Sequence, residues 1–273
     1  MDKPRNKIVL FLALTFLFSA ITWVPQLREG QIGLPWIVMT MWSPALAAII
    51  TRLVTQRNLR GQGWVPRDWR IMLFAYVLPI AYAAPVYLLA NSIGLASFEP
   101  QRWAVSEGMT PTVGLFAIAT IGLLSSLVTA TGEEIGWRGL LVPELAKVTS
   151  FGRLVLISGA IWAVWHMPLM IGGDYRGSGT PLAYSLVCFA AMVIALACVM
   201  AWITLKSGSL WPAAMLHASH NLFVQGVFDS AFRGPQANWV TGEFGIGLVI
   251  TIAITALILL RKAPVTPTQE FAS

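Results

Sequence analysis

The chain has 273 residues, 56% of them hydrophobic and only 11% charged, with a formal net charge of +6 at pH 7. A soluble domain carries about 25% charged residues, so the composition excludes an ordinary soluble protein and places the chain among polytopic membrane proteins. The basic excess belongs first to membrane topology and anionic lipid rather than to a specific acidic partner, and no nucleic-acid partner is expected.

A membrane-crossing helix needs about 20 mostly apolar residues, and eight stretches meet that requirement. The first, 8–24, follows the basic start MDKPRNK. Its apolar run is long and no small-x-small cleavage site follows, so it reads as an uncleaved span rather than a signal peptide. Next come 35–54 and 71–90, separated by the basic, Gly- and Pro-containing TQRNLRGQGWVPRDWR. The fourth, 113–132, ends at two adjacent carboxylates in TATGEEIGWRG, and the fifth, 154–172, contains His166. The sixth, 181–205, holds both cysteines, Cys188 and Cys198. Ten residues along a helix is about 15 Å, too far for a disulfide, so both read as buried thiols. The seventh, 210–228, carries His217, His220 and Asn221, and the eighth covers 244–260. The expected fold is therefore an all-α polytopic membrane protein, a bundle of about eight transmembrane helices. It forms one membrane domain over 1–273, with a polar-residue-bearing core at about 113–228. The twelve tryptophans fit this class, since indoles favour the membrane–water interface.

Orientation follows from lysine and arginine. With the N-terminus inside, the inner segments hold Lys3, Arg5, Lys7, Arg52, Arg57, Arg60, Arg67, Arg70, Arg138, Lys147, Arg153, Lys206, Arg261 and Lys262. The outer ones hold Arg28, Arg102, Arg176 and Arg233, a division of 14 against 4. That bias places both termini in the cytoplasm of a bacterial-type inner or plasma membrane.

All three histidines of the chain, His166, His217 and His220, fall inside expected spans. Ionisable groups there are costly and face a cavity or one another. Glu134 and Arg138 are four residues apart and can pair along one helix face, which leaves Glu133, rotated by about 100°, to point elsewhere. His217 and Asn221 share a face by the same spacing. Taken singly, each feature has a plain reading: the glutamates as a solvated helix end, each histidine as a packing group, Trp162 and Trp165 as ordinary core. Their concurrence on three spans favours chemistry. A carboxylate with a histidine can activate water, and a histidine with an asparagine can stabilise an oxyanion. Ser219 points away from His217, and no serine, threonine or cysteine stands as an obvious nucleophile. A zinc ion held by His166, His217 and one glutamate, with a fourth position open to water, is the alternative, although H-E-x-x-H is absent.

The segments EEIGWR, WAVWH and HASHN resemble, in order and spacing, the three motifs of the CPBP family. These are the CAAX prenyl proteases and bacteriocin-processing enzymes, also called the Abi family. The stretch from Gly132 to Asn221 covers about a third of the chain. The resemblance implies an intramembrane endopeptidase acting on a peptide or protein substrate at the bilayer, prenylated CAAX-type peptides being one such class. It implies that Glu133 and His166 activate water, that His217 and Asn221 form the oxyanion hole, and that Glu134 and Arg138 support the site. Trp162 departs from the phenylalanine usual in the family but keeps the aromatic character. His220 receives no catalytic role. The site is expected to open to the cytoplasmic half of the bilayer. Two other readings use the same residues: a proton-coupled transporter or channel, and a non-catalytic immunity or scaffold protein.

Overall fold

Helix ends in the computed structural model, which describes residues 3–30, 33–176 and 179–262, fall where proline, glycine and short polar side chains put them. Helix α1 (Pro4–Glu29) opens on a proline and closes on Gly30 in the left-handed conformation, φ 65°. Helix α2 is Leu34–Gln56. Asp68 caps α3 (Trp69–Ser92) by accepting from the Arg70 amide at 2.8 Å, and Thr110 caps α4 (Pro111–Ala146) through the Val113 amide. Helices α5 (Phe151–Gly172) and α6 (Leu182–Ser207) follow. Helix α7, residues 211–231, is continuous but contains a π-helical stretch at Asn221–Phe228. Helix α8 is Ile246–Lys262. The strands among the described residues are two two-residue pieces, β1 (Ser97–Phe98) and β2 (Phe232–Arg233), paired antiparallel.

The protein is thus an all-α polytopic membrane protein, and each of the eight expected segments is a helix. Six of them, α1 to α6, are long and apolar enough to cross a membrane. The seventh, interrupted by polar residues, and the seventeen-residue α8 fall short of that measure on their own.

The largest departure from expectation is α4. It continues 14 residues beyond the expected end at 132, to Ala146, and residues 132–145 are all buried. The glutamate pair is therefore no solvated helix end. Small residues make this burial possible. A Cβ on Gly132 would meet the Met41 carbonyl oxygen at 2.7 Å, and one on Gly136 would meet Pro44 at 2.5 Å, so α4 lies directly on the α2 backbone. Arg138 sits inside this packed stretch, not in a loop, which reduces the inner basic count from 14 to 13.

At the N-terminal end of the bundle, Glu144 of α4 accepts from Arg52 of α2 at 3.1 Å and from Lys147 at 3.0 Å, and lies 3.9 Å from Lys7 of α1. Gln62, from the α2–α3 connection, accepts from Arg52 at 2.7 Å and donates to the Ile135 carbonyl. Segments grouped on one side by their charge therefore meet at one end. The β1–β2 pair and the α7–α8 connection lie at the other. Cys188 and Cys198 are free and buried. The Lys262 side chain lies outside the described residues.

Candidate active site

Two carboxylates one residue apart on α4 are sent into different partnerships. Glu134 Oε1 accepts from Arg138 at 2.9 Å, one turn along the helix, and from His217 Nδ1 on α7 at 2.8 Å. Glu133 turns the other way: its Oε2 accepts from the indole N–H groups of Trp162 at 2.8 Å and Trp137 at 3.2 Å. All four partners are buried. The helix makes a π-helical turn at Trp137–Leu141, directly after the pair, and α7 makes another starting at Asn221. Such turns recur at functional sites, where they re-aim side chains without breaking the helix.

Trp162 is the hub. It donates to Glu133, its ring lies 4.1 Å from the Arg138 guanidinium carbon, and His217 and His166 flank it at ring separations of 5.4 and 6.0 Å. The expectation that Trp162 is ordinary core is therefore corrected. Its N–H needs an acceptor when buried, and the nearest is the free carboxylate. His166 is half-buried among Trp165, Tyr175 and Phe189, and its Nδ1 lies 2.9 Å from the Trp162 carbonyl. A carbonyl only accepts, so Nδ1 carries the hydrogen and Nε2 keeps a lone pair.

His220 stands in a second network. Its Nδ1 meets the Tyr82 hydroxyl at 2.6 Å and its Nε2 meets Glu243 Oε1 at 3.0 Å, while Tyr175 donates to Glu243 Oε2 at 3.2 Å. Ser219, which points away from His217 as expected, donates to the Tyr76 carbonyl.

One cavity joins the two networks, with Glu133, Trp162, His166, His217, His220, Asn221 and Glu243 among its lining residues. Its volume is about 110 Å³. A single water needs roughly 10–15 Å³ on such a measure, so a nucleophilic water and part of a substrate can share it. Four of the six expected site residues, Glu133, His166, His217 and Asn221, line this cavity; Glu134 stands behind His217, and Arg138 holds Glu134 and covers Trp162.

The depth of His166 agrees with that of Glu133. Glu133 lies 13 residues before the end of α4 and His166 lies 15 after the start of α5, each about 20 Å from their shared connection. The two match because α4 is longer than expected, and α5 runs through Pro168 without a break. The cavity also extends toward the end of the bundle away from the N-terminus. Trp23 lies late in α1, Ile37 and Thr40 early in α2, and Tyr175 just beyond α5. These are all on the half of the bundle away from the N-terminus, not the half shared with it.

A zinc ion fits this donor set poorly. Among the described residues no three His, Cys, Asp or Glu side chains are grouped as metal ligands. Glu133 Oε2 is engaged by two indoles and Glu134 Oε1 by Arg138 and His217.

Trp137, Tyr82, Tyr175 and Glu243 were not singled out in the sequence. Trp137 is four residues from Glu133, so helix spacing alone could have paired them. Glu243 lies in the α7–α8 connection, 22 residues after Asn221, and no local pattern marks it.

Residues 115–223 match the family described as Type II CAAX prenyl endopeptidase Rce1-like. Over 100 residues the chain is 29% identical to CAAX prenyl protease 2 of Methanococcus maripaludis, a stretch that is 35% of this chain and 36% of that protein. The chain thus matches about a third of the length of this curated relative. The family match contains all three motifs and bears out the resemblance they carry.

Proposed function

On the premise that residues 115–223 carry an Rce1-like domain of the CPBP family, we propose that the protein is an intramembrane endopeptidase that hydrolyses a peptide bond with an activated water. The observation that carries this reading is the separation of the glutamates. Arg138 and His217 hold Glu134, while Glu133, steadied by two indoles on one oxygen, faces the cavity that also holds His166.

Glu133 Oε1 takes a proton from water, and the Nε2 lone pair of His166 orients that water. The water oxygen bonds to the carbonyl carbon, and the developing oxyanion receives hydrogen bonds from His217 and Asn221. With Nδ1 on Glu134, His217 donates through Nε2 in its doubly protonated form, for which Glu134 is the counter-charge. Donors of this kind contribute about 10²–10³ in rate. The C–N bond then breaks and the proton held by Glu133 passes to the departing amine, giving a carboxylic acid and an amine, between which the remaining water-derived proton moves to leave a carboxylate and an ammonium. Each step uses only this chain's side chains, and the reaction proceeds without a metal.

The substrate is a peptide or protein at the membrane. The name of the matched relative adds prenylated CAAX-type peptides as one class to test. Both termini lie in the cytoplasm, as the basic asymmetry favours. The test is hydrolysis of prenylated and unprenylated membrane-associated peptides by the purified protein, with and without a zinc chelator. Cleavage at an unchanged rate with chelator is expected. No cleavage of any peptide overturns the peptidase reading, and loss with chelator that zinc restores overturns the metal-free mechanism.

A further inference from the structure

We infer that the peptide reaches this site from the extracytoplasmic side of the membrane, so that its substrates are exported or outer-leaflet peptides. The inference rests on the peptidase reading above and adds to it the side of access and the substrate class.

On α1, α2 and α5 the lining residues lie in the far halves of the helices, while α4 and α7 bring Glu133 and His217 from their near halves. Trp23 lies 19 residues into α1, about 28 Å from its start, whereas Ile37 and Thr40 lie in the first two turns of α2, which runs back. Glu243 comes from the connection between α7 and α8 at the same far end, yet it reaches the cavity to meet His220. Tyr175 enters likewise from the connection after α5. Gln225, another lining residue, is exposed. An extended peptide carries backbone N–H and C=O groups that need partners inside a bilayer. This half of the cavity supplies them through Glu243, Tyr175, Gln225 and Asn221.

The near end is closed. Below Glu133 come the buried Trp137 and Arg138, then Gln62 packed against Gly139, then the Arg52–Glu144 pair at 3.1 Å with Glu144 fully buried. A peptide approaching from this end would have to break an ion pair and displace close-packed side chains. The closed end is also the basic end, where Lys3, Arg5, Arg57, Arg60, Arg67 and Lys147 are found. Basic connections stay in the cytoplasm, so the open end faces outward.

The test uses single cysteines in a background where Cys188 and Cys198 are replaced by alanine. Arg60→Cys marks the near end, Ser106→Cys the far end and Ile37→Cys the cavity. Each is treated with a charged, membrane-impermeant maleimide in right-side-out and in inverted vesicles. The expected result is labelling of Ile37→Cys and Ser106→Cys from the outer face and of Arg60→Cys from the inner face. Labelling of Ile37→Cys from the face that labels Arg60→Cys overturns the inference, as does labelling of Arg60→Cys from outside. Labelling of neither Ile37→Cys nor a second cavity variant, Gln225→Cys, from either face also overturns it. A peptide that the detergent-solubilised protein cuts, given a hydrophilic impermeant tail, should be cut by right-side-out vesicles and spared by inverted ones. The opposite result defeats the access route while leaving the peptidase reading intact. If detergent-solubilised protein cuts no peptide, the peptidase reading fails and the labelling alone decides which way the cavity opens.

Discussion

At the scale of single residues, Trp162 separates two roles that the site gives one side chain. Its ring fills space between His166, His217 and Arg138, and its N–H holds Glu133 at 2.8 Å. Trp162→Phe keeps most of the ring contact and loses only the hydrogen bond, since Trp137 still donates to the same oxygen. A hydrogen bond to a charged group is worth about 1.5–3 kcal/mol, so the hydrolytic rate should fall by about 10- to 100-fold with the fold intact. Trp162→Ala removes the ring as well. It should cost about 3–5 kcal/mol of stability and abolish measurable turnover. Thermal unfolding in detergent alongside peptide hydrolysis measures both, and a Trp162→Phe variant with parent-like turnover beside a damaged Trp162→Ala would assign Trp162 to packing alone. The paired glutamates were legible in the sequence because i,i+4 spacing fixes which of them meets Arg138. The Trp162 bond was not legible, because a tryptophan on another apolar helix offers no sign of where its N–H points, whereas the i,i+4 spacing of Trp137 and Glu133 is a signal the sequence does carry. The His220–Glu243 contact was hidden for another reason: it joins a helix to a connection whose path only the folded chain defines.

At the scale of helices, hydrophobic length located the eight segments but misplaced the end of α4. A hydropathy pattern stops where charge begins, and here charge begins where the helix enters the protein rather than water. The buried stretch 132–145 is held by pairing its charges, Glu134 with Arg138 and Glu144 with Arg52, and by closeness to α2 at Gly132 and Gly136. That closeness can be tested directly. A methyl at Gly136 would sit 2.5 Å from Pro44 Cβ and 2.8 Å from its carbonyl oxygen, so α2 must move to admit it. Overpacking of this kind costs about 1–3 kcal/mol, and Gly136→Ala should lower the unfolding temperature in detergent. Gly152→Ala, in the first turn of α5 with nothing within 4 Å of the new Cβ, should hold or slightly raise it. A Gly136→Ala variant as stable as the parent would contradict the close α2–α4 approach that positions the glutamates.

At the scale of the whole molecule, the basic asymmetry grouped the N-terminus, the α2–α3 connection and the α4–α5 connection on one side, and the structure brings these segments together around Glu144. By hydropathy alone Glu133 ends a span, which places the site in the half of the bundle shared with those segments. With α4 extended, the same glutamate lies about 20 Å from the near end of its helix, and the cavity it lines extends toward the other end of the bundle. The central claim is that Glu133 is the group that takes the proton from water while Glu134 supports the site. It is tested most directly by the hydrolytic rate of Glu133→Gln beside that of the parent, with monodispersity in detergent as the check on folding. Glutamine keeps the size of the side chain and can still accept from Trp137 and Trp162, but it is not basic. The account predicts a folded protein whose rate falls by about 10²–10⁴-fold or more. A folded Glu133→Gln variant with near-parent turnover would contradict it.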